Sequence, residues 1–215
     1  MKIGVFDSGV GGLAIAEAIR KALPNYEIKY VEDHEHVPYG DKTREQLLGF
    51  VKPILQNLVS EDCEVIVIAC NTVTTTIIEE LRKQISVPLI GIEPMIKPAA
   101  KITKKNVIAV CATPTTLKSK RYVWLKETYA PGIKVLEPDC SQWARMIEDN
   151  QINEKTISEQ INNACSQNAD VIVLGCTHYH WIEEIIRKVT KGRAVVIQPE
   201  QAVIRQLKKV ISQLI

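Results

Sequence analysis

Two stretches of sequence, EVIVIACNT at residues 64–72 and DVIVLGCTH at residues 170–178, decide the fold. Each is a run rich in Val and Ile without polar alternation, which is typical of a strand buried on both faces of a parallel sheet. Each run ends in Cys followed by two polar residues. The two stretches therefore predict two central strands that carry the same kind of polar turn.

The rest of the chain alternates in the same way. KIGVF (2–6) precedes a helical pattern, as does VIAVCA (107–112), and this βαβ rhythm predicts parallel sheets covered by helices. KIGVFDSG also pairs with NVIAVCAT, and LIGIEP with VVIQPE. We predict an α/β fold of two pseudo-symmetric lobes, each a mainly parallel sheet flanked by helices, with the active site in the inter-lobe cleft. Lobe 1 is expected over residues 1–95, with the C-terminal helix returning to it, and lobe 2 over 96–215.

Composition excludes several classes of protein. The 215 residues are 46% apolar and 24% charged, which is typical of a globular chain with a sizeable core. The net charge of +2 does not favour a nucleic-acid partner, and no run of 18 apolar residues suggests a membrane span. MKIGVF lacks the pattern of a secretory leader, so we expect a cytoplasmic protein whose six cysteines are free thiols.

Polar residues collect where the predicted strands end. In open parallel sheets, ligands bind beyond the carboxyl ends of the strands, beside helix N-termini. The segments at these positions are Asp7-Ser8-Gly9, Cys70-Asn71-Thr72, Thr113 to Thr116 and Cys176-Thr177-His178. If the lobes face each other across a twofold axis, Cys70 and Cys176 reach one cleft from opposite sides.

Two opposed thiols suit proton transfer at a stereocentre. A carbanion formed at an α-carbon is planar, so a base on one face and an acid on the other racemise it. A thiol titrates near ~8.5 and its environment can lower that value, so a thiol and a thiolate can coexist. A buried Cys is more often simply a small apolar residue, and we assign that role to the cysteines without repeated polar neighbours, Cys63, Cys111, Cys140 and Cys165.

Five motifs resemble one family. FDSGVGGL (6–13), VPYG (37–40), ACNT (69–72), the T-x-x-T-x-x-S-x-x-Y pattern from Thr113 to Tyr122, and GCTHY (175–179) are similar to the cofactor-independent glutamate racemases. Related aspartate racemases usually carry Glu where this chain has His178, which favours the glutamate type.

The resemblance implies interconversion of L- and D-glutamate without pyridoxal phosphate, any other cofactor or a metal, and use of the product in peptidoglycan. It makes Cys70 and Cys176 the catalytic acid/base pair, with Asp7 assisting the first thiol, His178 the second, and Glu148 as a more loosely matched carboxylate. The partner is a small acidic amino acid, and a homodimer agrees with the family. The substrate-contacting positions are Ser8, Pro38, Tyr39, Gly40, Asn71, Thr72, Thr113, Thr116 and Thr177.

Other interpretations remain open from the residues themselves. Asp7, Ser8 and the polar residues after each Cys could be helix caps, and residues 38–40 a simple turn. DSGVGG lacks the spacing of a nucleotide-binding loop. A metal could bind His34 and His36, or both thiols with His178, but the histidines lie in VEDHEH, a charged stretch typical of a solvated loop. An amino-acid-binding protein without activity is the alternative from another class.

Four residues depart from the family pattern. Glu32 stands where Gly is usual, Val73 where Ala is common, His180 where Pro is usual, and Gln198 at a commonly acidic position. The bulk of Val73 near the first thiol favours a shorter substrate, so aspartate, or acidic amino acids in general, is the alternative substrate.

Overall fold

Two four-stranded parallel sheets form the protein, and the computed structural model describes residues 1–214. The strands are β1 Lys2–Asp7, β2 Glu27–Glu32, β3 Cys63–Ile68, β4 Leu89–Gly91, β5 Val107–Ala112, β6 Lys134–Leu136, β7 Val171–Gly175 and β8 Val195–Ile197. Their orders are β2-β1-β3-β4 and β6-β5-β7-β8, so both sheets have one topology. The predicted fold class and internal repeat are confirmed, with the two diagnostic stretches as inner strands β3 and β7.

Helices connect the strands on both faces of each sheet. They are α1 Leu13–Ala22, α2 Arg44–Ser60, α3 Asn71–Gln84, α4 Ile96–Ile102, α5 Pro114–Lys118, α6 Lys120–Tyr129, α7 Trp143–Glu148, α8 Glu154–Ser166, α9 Glu183–Thr190 and α10 Glu200–Leu214. Three 3₁₀ turns complete the described chain, at Val10–Gly12, Tyr39–Asp41 and Thr177–Ile182. Over residues 1–214, no helix has the length and apolarity needed to cross a membrane.

Apolar side chains alternate between the two faces of each sheet and build a core on either side. On β3, Ile66 and Ile68 pack toward α2 and α3, while Val65 and Val67 pack toward α1 and α10. Burial of each such side chain contributes roughly 1.5–3 kcal/mol. Helix α10 packs against α1 and β4, so the end of the described chain lies on the first sheet.

The lobes meet where the strand ends point at each other. The Val10–Gly12 turn packs against the Thr177–Ile182 turn, and α3 and the Tyr39–Asp41 turn both pack against α5. A Cβ on Gly11 would lie only 2.6 Å from the carbonyl carbon of Thr177. Only glycine permits this approach of two backbones, which brings the two sets of polar turns together.

Candidate active site

The first thiol, Cys70, is the N-cap residue of α3 and lies two residues after the end of β3. Its side chain is 4% exposed and its Sγ accepts a hydrogen bond from Ser8 Oγ at 3.4 Å. Burial raises the pKa of Cys70 to about 12, the carboxylate of Asp7 adds to this, and Cys176 raises it further. Cys70 is therefore a protonated thiol in this arrangement.

The second thiol, Cys176, follows β7 and lies beside His178. Its Sγ is 3.6 Å from Nδ1 of His178, while Nε2 of the same ring contacts Glu148 Oε1. Burial alone would lower the pKa of His178, but hydrogen bonds to Cys176 and Glu148 raise it well above its ordinary value. These contacts favour protonation of the imidazole, and an imidazolium at this position can stabilise negative charge on the sulfur of Cys176.

Glu148 connects this pair to lobe 1. Its Oε1 accepts a hydrogen bond from the backbone N–H of Val10 at 3.1 Å. Burial raises the pKa of Glu148, but the hydrogen bond and charge of His178 outweigh it, so the net pKa is lowered. The carboxylate thus holds the imidazole in place from the far side of its ring.

Asp7 joins the two halves of the site. Its side chain is completely buried, and Thr177 Oγ1 donates to its Oδ2 at 3.1 Å across the lobe boundary. Burial raises the pKa of Asp7 to about 6, although the charge of His178 opposes this. The carboxylate also accepts from the backbone N–H groups of Ser8 and Gly12, so it orders the local turn as well.

Three threonine hydroxyls form a buried triangle across the cleft. Thr72 Oγ1 of lobe 1 lies 2.9 Å from Thr113 Oγ1 and 3.3 Å from Thr116 Oγ1, and Thr113 Oγ1 donates to Thr116 Oγ1 at 3.0 Å. Thr113 is also the N-cap of α5 and accepts from the backbone of Thr116. Hydroxyls can rotate, so the triangle can redirect its donors toward an anion.

Asn71 carries a buried carbonyl oxygen that accepts no hydrogen bond from the described chain. Its Oδ1 has no hydrogen-bond partner within residues 1–214, although the side chain is 3% exposed. An unpaired buried carbonyl costs about 1–3 kcal/mol, so a bound donor is expected there. An ammonium group is one such donor.

The Pro38–Gly40 segment lies against the threonine triangle. Pro38 precedes the Tyr39–Asp41 turn, and Tyr39 is buried with its ring 6.5 Å from that of Phe6. The carbonyl of Gly40 accepts a hydrogen bond from Thr115 Oγ1 in lobe 2. The segment is therefore a cross-lobe contact rather than a free surface turn.

Sequence reasoning missed several residues around the site. Interpreting VEDHEH as a solvated loop was wrong for Asp33, which is buried and accepts hydrogen bonds from Tyr39 and His36. The contacts of Val10 and Gly11 with lobe 2 were also missed, and the glycines of DSGVGG were the signal for them. His180, which stands where Pro is usual, lies in the Thr177–Ile182 turn, and helix α9 begins only after that turn, at Glu183.

Val73 and the four cysteines assigned to packing lie in the cores. Val73 is completely buried in the lobe 1 core, in the cluster that contains Phe6, Tyr39 and Cys70. Cys63 belongs to the same cluster, whereas the other buried thiols lie in the lobe 2 core: Cys111, Cys140 and Cys165. All six cysteines of the described chain are free.

Comparisons with known proteins agree with this geometry. The Asp/Glu/Hydantoin racemase family model matches residues 13–207. The glutamate racemase of Ectopseudomonas mendocina is 34% identical over 98% of this chain and 82% of the relative, and that of Ralstonia pickettii is 36% identical over 98% and 76%.

Solved structures give the same result. Escherichia coli glutamate racemase, in complex with L-glutamate and the activator UDP-MurNAc-Ala, superposes with a TM-score of 0.90 at 26% identity, over 98% of this chain and 82% of that one. The Francisella tularensis glutamate racemase with D-glutamate gives 0.83 at 29% identity, over 99% and 81%. With paired strand-end thiols, a matching fold and a family model over most of its length, the chain belongs to the Asp/Glu/hydantoin racemase family and is an amino-acid racemase.

Proposed function

We propose that this protein interconverts L- and D-glutamate through Cys70 and Cys176, without pyridoxal phosphate. The observation that carries the proposal is the pair of thiols at equivalent strand ends of the two lobes. The lobes are linked at this cleft by the hydrogen bond from Thr177 to Asp7. Simple binding of an amino acid requires neither thiol, whereas racemisation requires a base and an acid on opposite faces.

The proposed reaction moves one proton off the α-carbon and another onto it. A thiolate takes the α-proton, and the electron pair of the broken C–H bond is delocalised into the adjacent carboxyl group. The opposite thiol then gives its proton to the other face of the carbon, which leaves a thiolate on that side. Exchange with solvent, assisted by Asp7 near Cys70 and His178 near Cys176, restores the starting protonation.

The two ends of the site suit the groups of an acidic amino acid. The unpartnered Oδ1 of Asn71 can accept from the ammonium group. The Thr72, Thr113 and Thr116 hydroxyls, with the N-terminus of the 14-residue helix α3, can donate to carboxylate oxygens. Because these groups are buried, we infer that the lobes separate to admit substrate.

Racemase assays with two substrates test the proposal. Enantiopure L-glutamate should lose its optical rotation, and D-glutamate should do so in the opposite sense. L-Aspartate, the runner-up because Val73 packs beside Cys70, is assayed in parallel. Faster turnover of aspartate would overturn the choice of glutamate, and loss of rotation with neither substrate would indicate a binding protein.

The proposed function extends to the enzyme's location and to the use of its product. We propose a cytoplasmic enzyme whose D-glutamate enters peptidoglycan, which the free cysteines and the bacterial relatives support. The lobe boundary near residue 95 is supported by the position of α4 between the two sheets. Homodimer formation stays a prediction that sedimentation velocity would test.

A further inference from the structure

We propose that Asp33 and His36 are positioning residues, which hold the Tyr39–Gly40 segment in place and so set substrate affinity without touching the substrate. This inference rests on the proposed function, because it assigns Tyr39 and Gly40 to the edge of the substrate cleft. Asp33 carries a buried carboxylate that has no part in the proposed proton transfer.

Asp33 follows β2 and is only 7% exposed. Its Oδ2 accepts a hydrogen bond from the hydroxyl of Tyr39 at 2.6 Å and another from Nδ1 of His36 at 2.8 Å. A buried carboxylate is unfavourable unless such donors compensate for lost hydration. The three side chains therefore form one unit, in which Asp33 is the shared acceptor.

His36 is itself held by packing on α2. Its ring stacks on Phe50 with a centroid separation of 3.7 Å and an interplanar angle of 17°, and Phe50 lies 6.4 Å from the ring of Tyr39. Stacking fixes the plane of the imidazole, so its Nδ1–H points at the carboxylate. The pair thus connects α2 to the segment that follows β2.

From Tyr39 the connection reaches lobe 2 within one residue. Gly40 accepts from Thr115, and a Cβ at Gly40 would lie 3.1 Å from the Cβ of Thr113, a member of the threonine triangle. The backbone of Asp33 also donates to the carbonyl of Asp7 at 3.3 Å. One side of the unit, at Asp33, is therefore held beside Asp7 at the end of β1. The other side, at Gly40, lies against Thr113 of the threonine triangle.

Kinetics of Asp33→Asn, His36→Gln and Tyr39→Phe test this arrangement. Because no reacting atom is touched, each change should raise KM for glutamate about tenfold and leave kcat within about twofold. The double variant Asp33→Asn/Tyr39→Phe should be no worse than Asp33→Asn alone, since Tyr39→Phe removes one of the two contacts that Asp33→Asn already weakens. His36→Arg supplies N–H donors and a planar group that can stack on Phe50, and should keep KM within about threefold of the wild-type value.

Glu35→Gln is the matched control, because it removes one negative charge from an exposed neighbour and should leave KM unchanged. A fall in kcat at unchanged KM, or additive effects in the double variant, would overturn the proposal.

A second measurement separates this inference from the proposed substrate. Hydrogen exchange of the backbone amides of residues 39–42 should speed up in Asp33→Asn, while α8 stays protected. That result is expected whether or not glutamate is the substrate, so failure of the glutamate assay would not affect it. Unchanged exchange at residues 39–42 would show that Asp33 does not hold the segment.

Discussion

The two thiols occupy equivalent places in two repeated lobes but lie in opposite electrostatic environments. Cys70 is sealed beside the Asp7 carboxylate, and burial with that charge raises its pKa to about 12. Cys176 is partly exposed and lies beside the imidazole of His178, whose pKa is raised by Cys176 and Glu148 against the effect of burial. The repeat thus places two thiols at equivalent strand ends, and the residues around each thiol differ: a carboxylate lies beside Cys70 and an imidazole beside Cys176.

Removing either thiol should have the largest effect on activity. Cys70→Ser and Cys176→Ser should each lower kcat for racemisation by about 10³-fold or more, because a hydroxyl is a far weaker acid than a thiol and does not ionise to a usable base near neutral pH. Polarimetry of enantiopure glutamate measures this. Cys165→Ser, a buried thiol of the lobe 2 core, should retain activity. Full activity in either cleft variant would remove the two-thiol mechanism.

Asp7→Asn should measure how much the ionised carboxylate beside Cys70 lowers the free energy of unfolding. Between about pH 4 and pH 6 the folded state keeps a proton that the unfolded state has lost, so the wild type loses stability as pH rises through this window. Asn does not ionise, and the variant should be more stable at pH 7.5 by up to about 3 kcal/mol.

Urea unfolding of Asp7→Asn at pH 3.5 and 7.5 measures the effect, with the exposed Asp149→Asn as control. The difference from wild type should be small at pH 3.5 and largest at pH 7.5. A variant that is less stable at pH 7.5 would show that the carboxylate is stabilising there. Racemisation should fall in the same variant.

Glu148→Gln should change the electrostatic environment of the second thiol. Without the carboxylate, the pKa of His178 should fall, so the imidazolium is lost at a lower pH. We expect about a tenfold lower kcat and an alkaline limb of the pH profile displaced toward neutrality. A profile from pH 6 to 9, with the exposed Glu159→Gln as control, measures this, and an unmoved limb would contradict it.

Gly11→Ala should weaken the contact that brings both environments together. The added Cβ clashes with the backbone of Thr177. A backbone cannot relieve a clash by changing rotamer, so the turns of the two lobes must separate. We expect KM to rise about tenfold with the fold retained. In the control Gly49→Ala, the new Cβ meets no heavy atom within 4 Å among the described residues, and the helix should gain about 0.5–1 kcal/mol. Equal KM values in both variants would contradict this role for Gly11.

The repeated pattern made the fold and the two thiols predictable from sequence. EVIVIACNT and DVIVLGCTH place Cys70 and Cys176 at equivalent strand ends by local patterning alone, and parallel topology then brings strand ends to one edge. The position of Asp7 at the end of β1 follows from the same argument.

Contacts between distant segments were not predictable in this way. Val10 meets Glu148, and Asp7 meets Thr177, across more than half of the chain. No local periodicity encodes such pairs, because they depend on how the lobes dock. Asp33 was missed for a related reason, since its burial comes from Tyr39 and His36 folding back over it and not from an apolar run.

The fate of the α-proton in deuterated water tests the opposed-thiol account most directly. With L-glutamate as substrate, NMR spectroscopy at early times should find the newly formed D-glutamate deuterated at the α-carbon, while unreacted L-glutamate keeps its proton. Product that retains the original proton would mean that one group carries it from face to face, and would contradict a reaction divided between Cys70 and Cys176.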